Sequence, residues 1–248
     1  MKEKGISQEG LKLIACVTML IDHIGATMVL RMLQTIPQQD MTLYWTYYVM
    51  RIIGRIAFPI YCFLLVEGAA HTRNPKKYAL RLFVGMLLAE IPFDLAFSYR
   101  GFVPFDWSSN SVMVTLLLGF GMLMCMGRVR GAWKATVVFL FYILAELLQT
   151  DYAGLGILII AVFALTRGME REKLWCAAGL CMVLYPGSRM NVGGIMINLE
   201  WFAILALVPI FCYNGRKLTS SKAAQWGFYL FYPVHILILA ILTESLFG

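Results

Sequence analysis

Apolar runs of membrane-crossing length, separated by short loops, take up most of this chain and leave it few folds to choose from. A helix needs about 20 apolar residues to cross the roughly 30 Å of hydrocarbon in a bilayer. Apolar runs cover residues 11–33, 47–70, 78–98, 111–127, 132–149, 152–166, 174–187, 199–213 and 226–247. Lipid offers no partner to backbone N–H and C=O groups, so such segments pair their own backbone and become helices. The expected fold is all-α: a polytopic membrane protein of about nine transmembrane helices. The seventh and eighth runs are short enough to tilt or re-enter, which puts the count between eight and ten. No internal repeat, low-complexity tract or linker divides the chain, so 1–248 reads as a single domain. Composition agrees, since only 14% of residues are charged and 60% are apolar, against about a quarter charged in soluble domains.

The net charge of +7 would suggest a nucleic-acid partner if it lay on a soluble surface. Here the basic residues fall in short clusters between apolar runs, which points to a lipid environment and away from nucleic acid. Of the 21 Lys and Arg residues, sixteen lie at the N-terminus or in the second, fourth, sixth and eighth loops. Arg100 and Arg189 stand in the other loops, and Arg31, Arg51 and Arg55 lie within spans. Basic loops stay on the cytoplasmic side, so the expected topology is N-inside, C-outside, in the bacterial cytoplasmic membrane. Aromatic residues at the opposite interface, among them Tyr44, Trp45, Tyr47, Tyr48 and Trp107, fit that orientation. The first run reads as a membrane helix rather than a cleaved signal, because Asp22-His23 interrupts it and no small-residue cleavage site precedes Arg31. Six cysteines lie inside apolar runs with no C-x-x-C pair, and with the three histidines they make no metal-site spacing. No metal is expected.

Ionisable residues inside the runs carry the chemistry. They are Asp22 and His23 in the first span, Arg51, Arg55 and Glu67 in the second, Glu90 and Asp94 in the third, Glu146 in the fifth and His235 in the ninth. On insertion scales, a charged side chain at mid-membrane costs about 2.5–3.5 kcal/mol. They therefore face a protein interior or a wet cavity. Arg51 and Arg55 are four residues apart, as are Glu90 and Asp94, so each pair shares a helix face. At about 1.5 Å per residue, His23 lies about 18 Å and His235 about 14 Å above the inner surface, with Arg55 about 12 Å below the outer one. One polar chamber at and above the midplane accounts for most of these groups. A purely structural alternative has Arg51, Arg55, Glu90 and Asp94 as ion pairs stapling the second and third spans. On height, Arg55 takes Asp22 or Glu90 as its acidic partner.

Three strings resemble the TraX family of conjugative pilin acetylases. They are Leu20-Ile21-Asp22-His23-Ile24-Gly25, then Gly54-Arg55-Ile56-Ala57-Phe58-Pro59-Ile60 continuing to Phe63–Gly68, and Phe228–His235 with its Tyr232-Pro233-Val234-His235 ending. More distantly, they are similar to membrane acyltransferases of the family 3 type. The resemblance implies an integral-membrane acyltransferase that uses acetyl-CoA or another acyl-CoA. It would modify an amine or hydroxyl of a protein N-terminus, glycan or lipid on the far side of the membrane. It implies catalytic roles for His23, Asp22, Arg55 and His235, with His23 as the base. Arg51, Glu90, Asp94 and Tyr232 are the expected substrate-binding residues. Arg73, Lys76, Lys77 and Arg81 are the cations available to the CoA phosphates. A proton-coupled transporter uses similar intramembrane acids and histidines, but no pair of matching halves with broken helices is visible. A non-catalytic assembly factor is the remaining alternative. No Gly-rich phosphate loop or G-x-S-x-G string occurs.

Overall fold

The computed structural model describes residues 5–36, 40–97, 109–168, 179, 187–218 and 221–247. Among these residues the chain forms helices α1 (Gln8–Thr35), α2 (Met41–His71), α3 (Pro75–Phe97), α4 (Val112–Met126), α5 (Trp133–Leu147) and α6 (Ala153–Leu165). A hairpin of β1 (Arg189–Val192) and β2 (Ile195–Asn198) follows, then α7 (Leu199–Phe211) and α8 (Lys222–Phe247). Length and apolarity single out three stretches able to cross a membrane: α1, α2 and Gln225–Phe247 of α8. Helices α4, α6 and α7 are apolar but shorter, so the expectation of about nine crossings exceeds what the helices themselves carry. The expected span over 174–187 lies, except for Gly179 and Gly187, outside the described residues.

The helices start where local chemistry lets them. Ser7 caps α1 by accepting from the Gly10 N–H, and the Asp40 carboxylate caps α2 by accepting from Thr42 and Leu43. Helix α1 carries Leu11, Ala15 and Met19 four residues apart on its buried face, and Asp22 continues that stripe. One face of one helix thus runs from apolar core directly into a buried charge. The opposite face, with Leu13 and Val17, is exposed.

Three departures from regular α-helix shape the centre, one of them the 3₁₀ helix Leu199–Ala206 that opens α7. Residues Gly25–Val29 form a π-helical turn immediately after His23. Helix α2 breaks at Arg55-Ile56, where the Arg55 N–H bonds back to Arg51 at 3.3 Å and Ile52 at 3.2 Å. Pro59 explains the break: it has no N–H for the Arg55 carbonyl four residues earlier, and its ring collides with that carbonyl in a continuous helix.

Helix α1 packs along both halves of α2 and against α8, while α8 lies along α3. Helices α5 and α6 form an antiparallel pair that closes against α4. Ile60, Phe120, Met122, Ile157 and Ile160 are buried in the core that joins α2, α4 and α6. The two-stranded hairpin departs from the all-α expectation. It is antiparallel, pairing Arg189 with Asn198 and Val192 with Ile195. Gly193 and Gly194 make its turn at φ of +58° and +91°, a region glycine enters without the Cβ penalty. The Tyr44 hydroxyl donates to the Asn191 carbonyl at 3.0 Å, tying the hairpin to the start of α2.

Candidate active site

A cavity of about 750 Å³ opens among α1, α2, α3, α8, the turn before α6 and the segment leading into α7. Its charged lining is Asp22, Arg51, Arg55, Asp94, Asp151 and Glu200, with His23 beside them. Asp22 lies between the two arginines, accepting from Arg51 Nη1 at 2.7 Å and from Arg55 Nη2 at 3.2 Å. Arg55 Nη1 reaches the Glu200 carboxylate at 2.7 Å, and its Nε donates to the Arg51 carbonyl at 3.3 Å. All three Arg55 nitrogens are therefore engaged, whereas Arg51 Nε is buried with no hydrogen-bond partner among the described residues.

Glycine makes the closest of these approaches possible. A Cβ on Gly54 would collide with the Asp22 carboxylate, and one on Gly187 would collide with the Glu200 side chain. Glu200 is placed by its own helix start: the Asn198 side chain caps α7 by accepting from the Glu200 N–H at 2.9 Å.

His23 and His235 meet across the bundle, Nδ1 to Nε2 at 2.7 Å. Their rings lie within 9° of parallel with centroids 5.0 Å apart, the separation of two rings joined edge to edge through one hydrogen bond. His235 Nδ1 is 2.6 Å from the Phe231 carbonyl oxygen, which can only accept. That nitrogen therefore carries the proton, and in the neutral ring Nε2 is left as an acceptor. His23 Nδ1 must then be the donor, so His23 Nε2 is the unprotonated nitrogen of a histidine that lines the cavity. Phe97 and Tyr232 pack edge-on against the same ring at centroid distances of 5.8 and 5.9 Å.

The sequence expectations divide at this point. His23, Asp22, Arg55, Arg51, Asp94 and Tyr232 line one cavity, and His235 is joined to it through His23. Glu90 does not partner Arg55. It accepts from the Ser111 hydroxyl at 2.6 Å and from the Ser111 N–H at 3.4 Å, because α3 turns that carboxylate toward the start of α4. The staple between the second and third spans is replaced by one joining α2 to α1 and α7. Glu146 accepts from the Gly154 N–H at 3.1 Å at the α5–α6 turn. Glu67 pairs with Arg167 at 2.8 Å. Arg73, Lys76 and Lys77 are exposed, whereas Arg81 lines a second cavity.

Two acids of the wide cavity were not expected. Glu200 carries a signal in Asn198-x-Glu200, a cap followed by an acid just ahead of an apolar run. Asp151 stands in the turn between α5 and α6, outside the helices. It presents surface to the cavity while protein surrounds it, and this loss of bulk water pushes its pKa up to about 6 against the opposing pull of Arg55 and Arg51.

The chain matches the family model described as TraX protein over residues 7–243. It is similar to a probable fimbrial assembly protein FimC, serogroup H1, of Dichelobacter nodosus, with 29% identity over 246 residues, covering 92% of each chain. No solved structure matches it.

Proposed function

Because this chain belongs to the TraX family, we propose that it is an integral-membrane acyltransferase that moves an acyl group from a coenzyme A thioester on the cytoplasmic side to an acceptor on the opposite side. The shorter helices complete the crossings around α1, α2 and α8, with the N-terminus inside and the C-terminus outside. The observation that carries the reading is the histidine pair, which holds His23 Nε2 as a free base on the cavity wall.

Leaving Asp94 aside, the described charges of the wide cavity are two arginines against the carboxylates of Asp22, Asp151 and Glu200. That acidic excess favours a cationic acceptor, so an ammonium-bearing group suits the cavity better than a neutral hydroxyl. With the amine in its neutral form, the nitrogen attacks the thioester carbonyl carbon. His23 Nε2 removes the proton that nitrogen loses. The C–N bond forms and the C–S bond breaks, and the proton held by His23 passes to the departing thiolate. His235 accepts from the His23 Nδ1–H and stabilises the transient imidazolium, a role of the kind the acid plays behind the histidine of a hydrolase triad. Arg51, which has a spare donor, is placed to stabilise the developing oxyanion. Arg55 and Asp22 hold Arg51 in position. The fimbrial assembly name of the relative favours a pilus-type subunit as acceptor.

That name also supports a second reading, an assembly factor without turnover. Incubating the detergent-purified chain with radiolabelled acetyl-CoA and an amine-bearing peptide separates the two. Labelled peptide supports the transferase; no label with any amine, hydroxyl or lipid acceptor leaves the assembly factor.

A further inference from the structure

A second cavity, of about 490 Å³, lies on the side of the bundle where α1 begins and α2 ends. Its walls are apolar, with Leu64, Leu65, Met113 and Phe228 among them, and Lys12, Arg81 and Lys217 line it as well. Met19, Tyr61, Val112 and Tyr232 line both this cavity and the wide one. The two chambers are therefore separated by one layer of side chains.

Resting on the acyltransferase reading, we infer that this second cavity is the donor port. The phosphates of the coenzyme A thioester bind at Lys12, Arg81 and Lys217, and its pantetheine arm passes between Tyr61 and Tyr232 to His23. Glu9, three residues before Lys12, offsets part of this positive charge, and the remaining cations suit a phosphate. Lys12 lies over the Phe228 ring at 5.0 Å and Arg81 over the Tyr78 ring at 5.5 Å. Arg81 Nε has no hydrogen-bond partner among the described residues. Glu67 is on the same wall, but its carboxylate is occupied by Arg167 at 2.8 Å and approached by His71 at 3.8 Å.

The reach agrees. Lys12 and His23 stand on one regular stretch of α1, eleven residues or about 16 Å apart. An extended chain covers about 3.3–3.6 Å per three backbone bonds, so an arm of about 12 bonds from diphosphate to sulfur spans about 14 Å. The two lengths agree to within about 2 Å. Tyr61 is the side of the dividing layer able to give way, because among the described residues its hydroxyl meets the Cys16 thiol, a weak partner, at 3.2 Å. Arg73, Lys76 and Lys77 lie outside this port.

Two donors test the port in the full-length detergent-purified chain: acetyl-CoA, and S-acetyl-N-acetylcysteamine, which has the thioester end of the arm without its phosphates. The double variant Lys12→Gln/Arg81→Gln should bind coenzyme A at least tenfold more weakly and lose at least tenfold in kcat/KM for acetyl-CoA. It should keep its rate with the short thioester, which also certifies that it folds. Arg130→Ala, which removes an exposed charge elsewhere, should change neither donor. Tyr61→Trp should still bind coenzyme A while losing transfer from acetyl-CoA. A double variant that leaves acetyl-CoA kinetics unchanged, or slows both donors equally, overturns the port while the transferase reading stands. A wild-type chain that transfers from neither donor removes that reading and the port with it.

Discussion

His23 keeps its free nitrogen only while His235 keeps a proton directed at Phe231. His23→Ala removes the proposed base and should lower kcat by about 10²–10⁴-fold with little change in KM. His235→Ala removes an acceptor, so the His23 tautomer is no longer fixed; a smaller fall in kcat is expected. His235→Asn should recover part of it by offering a carbonyl oxygen. Equal losses in His235→Ala and His235→Asn would show that ring shape, not proton direction, is what His235 supplies. Arg55→Ala tests the charges. It leaves Glu200 and part of Asp22 without a cation in a low-dielectric interior, a loss of about 3–5 kcal/mol that thermal melting of the purified chain will register. Asp151 gives the pH dependence. Below about 6 its carboxyl is protonated, the cavity loses one negative charge, and an ammonium acceptor is held less well. KM for an amine acceptor should therefore rise as pH falls through that value, and Asp151→Asn should flatten that rise without abolishing turnover. At this scale the sequence showed the charged residues better than their partners. Asp22, Arg51 and Arg55 stand out because lipid rejects them, but Glu200 sits at a helix start that could equally have been a surface cap. Height along the helices brought His23 and His235 to similar depth, yet depth alone does not say which faces meet.

Helix α2 is where the local code and the tertiary structure reinforce each other. Pro59 forces a break at Arg55-Ile56, and the break lies beside Gly54, the residue that admits Asp22. Gly54→Ala should therefore act through charge, although it adds only a methyl group. The new Cβ displaces the Asp22 carboxylate from Arg51 and Arg55, an overpacking cost of about 1–3 kcal/mol accompanied by loss of transfer. A Gly54→Ala protein with wild-type melting and activity would mean that α1 shifts freely, and the arginine–aspartate bracket would then not position the site. Pro59 is a breaker visible in the sequence, although the expected second span ran unbroken over 47–70. The π-helical turn at Gly25–Val29 has no signal of this kind, whereas the β-hairpin has one in Val192-Gly193-Gly194-Ile195, which a reading by apolar runs passes over.

For the whole molecule, the distribution of Lys and Arg is the long-range information in the sequence, and the proposed orientation rests on it. Reporter fusions after Asn110 should read outside and fusions after Lys222 inside; the reverse at either site would overturn the span assignment, and the reverse at both would invert the proposed roles of the two cavities. Apolar length gave the helical architecture, but it overstated how many segments are long enough to cross unaided. A short helix inside a bundle and a short helix across a membrane have the same apolar composition, and their neighbours decide between them.

The pairing of Arg55 with Glu200 also sets a schedule. The two residues are 145 positions apart, and at about 5–20 residues per second the ribosome takes about 7–30 s to travel from one to the other. During that interval α1 and α2 already exist, with two arginines against the one carboxylate of Asp22. Until residue 200 is made, Arg55 lacks the Glu200 carboxylate that engages its Nη1, so the early α1–α2 pair is complete in its helices before it is complete in its charges.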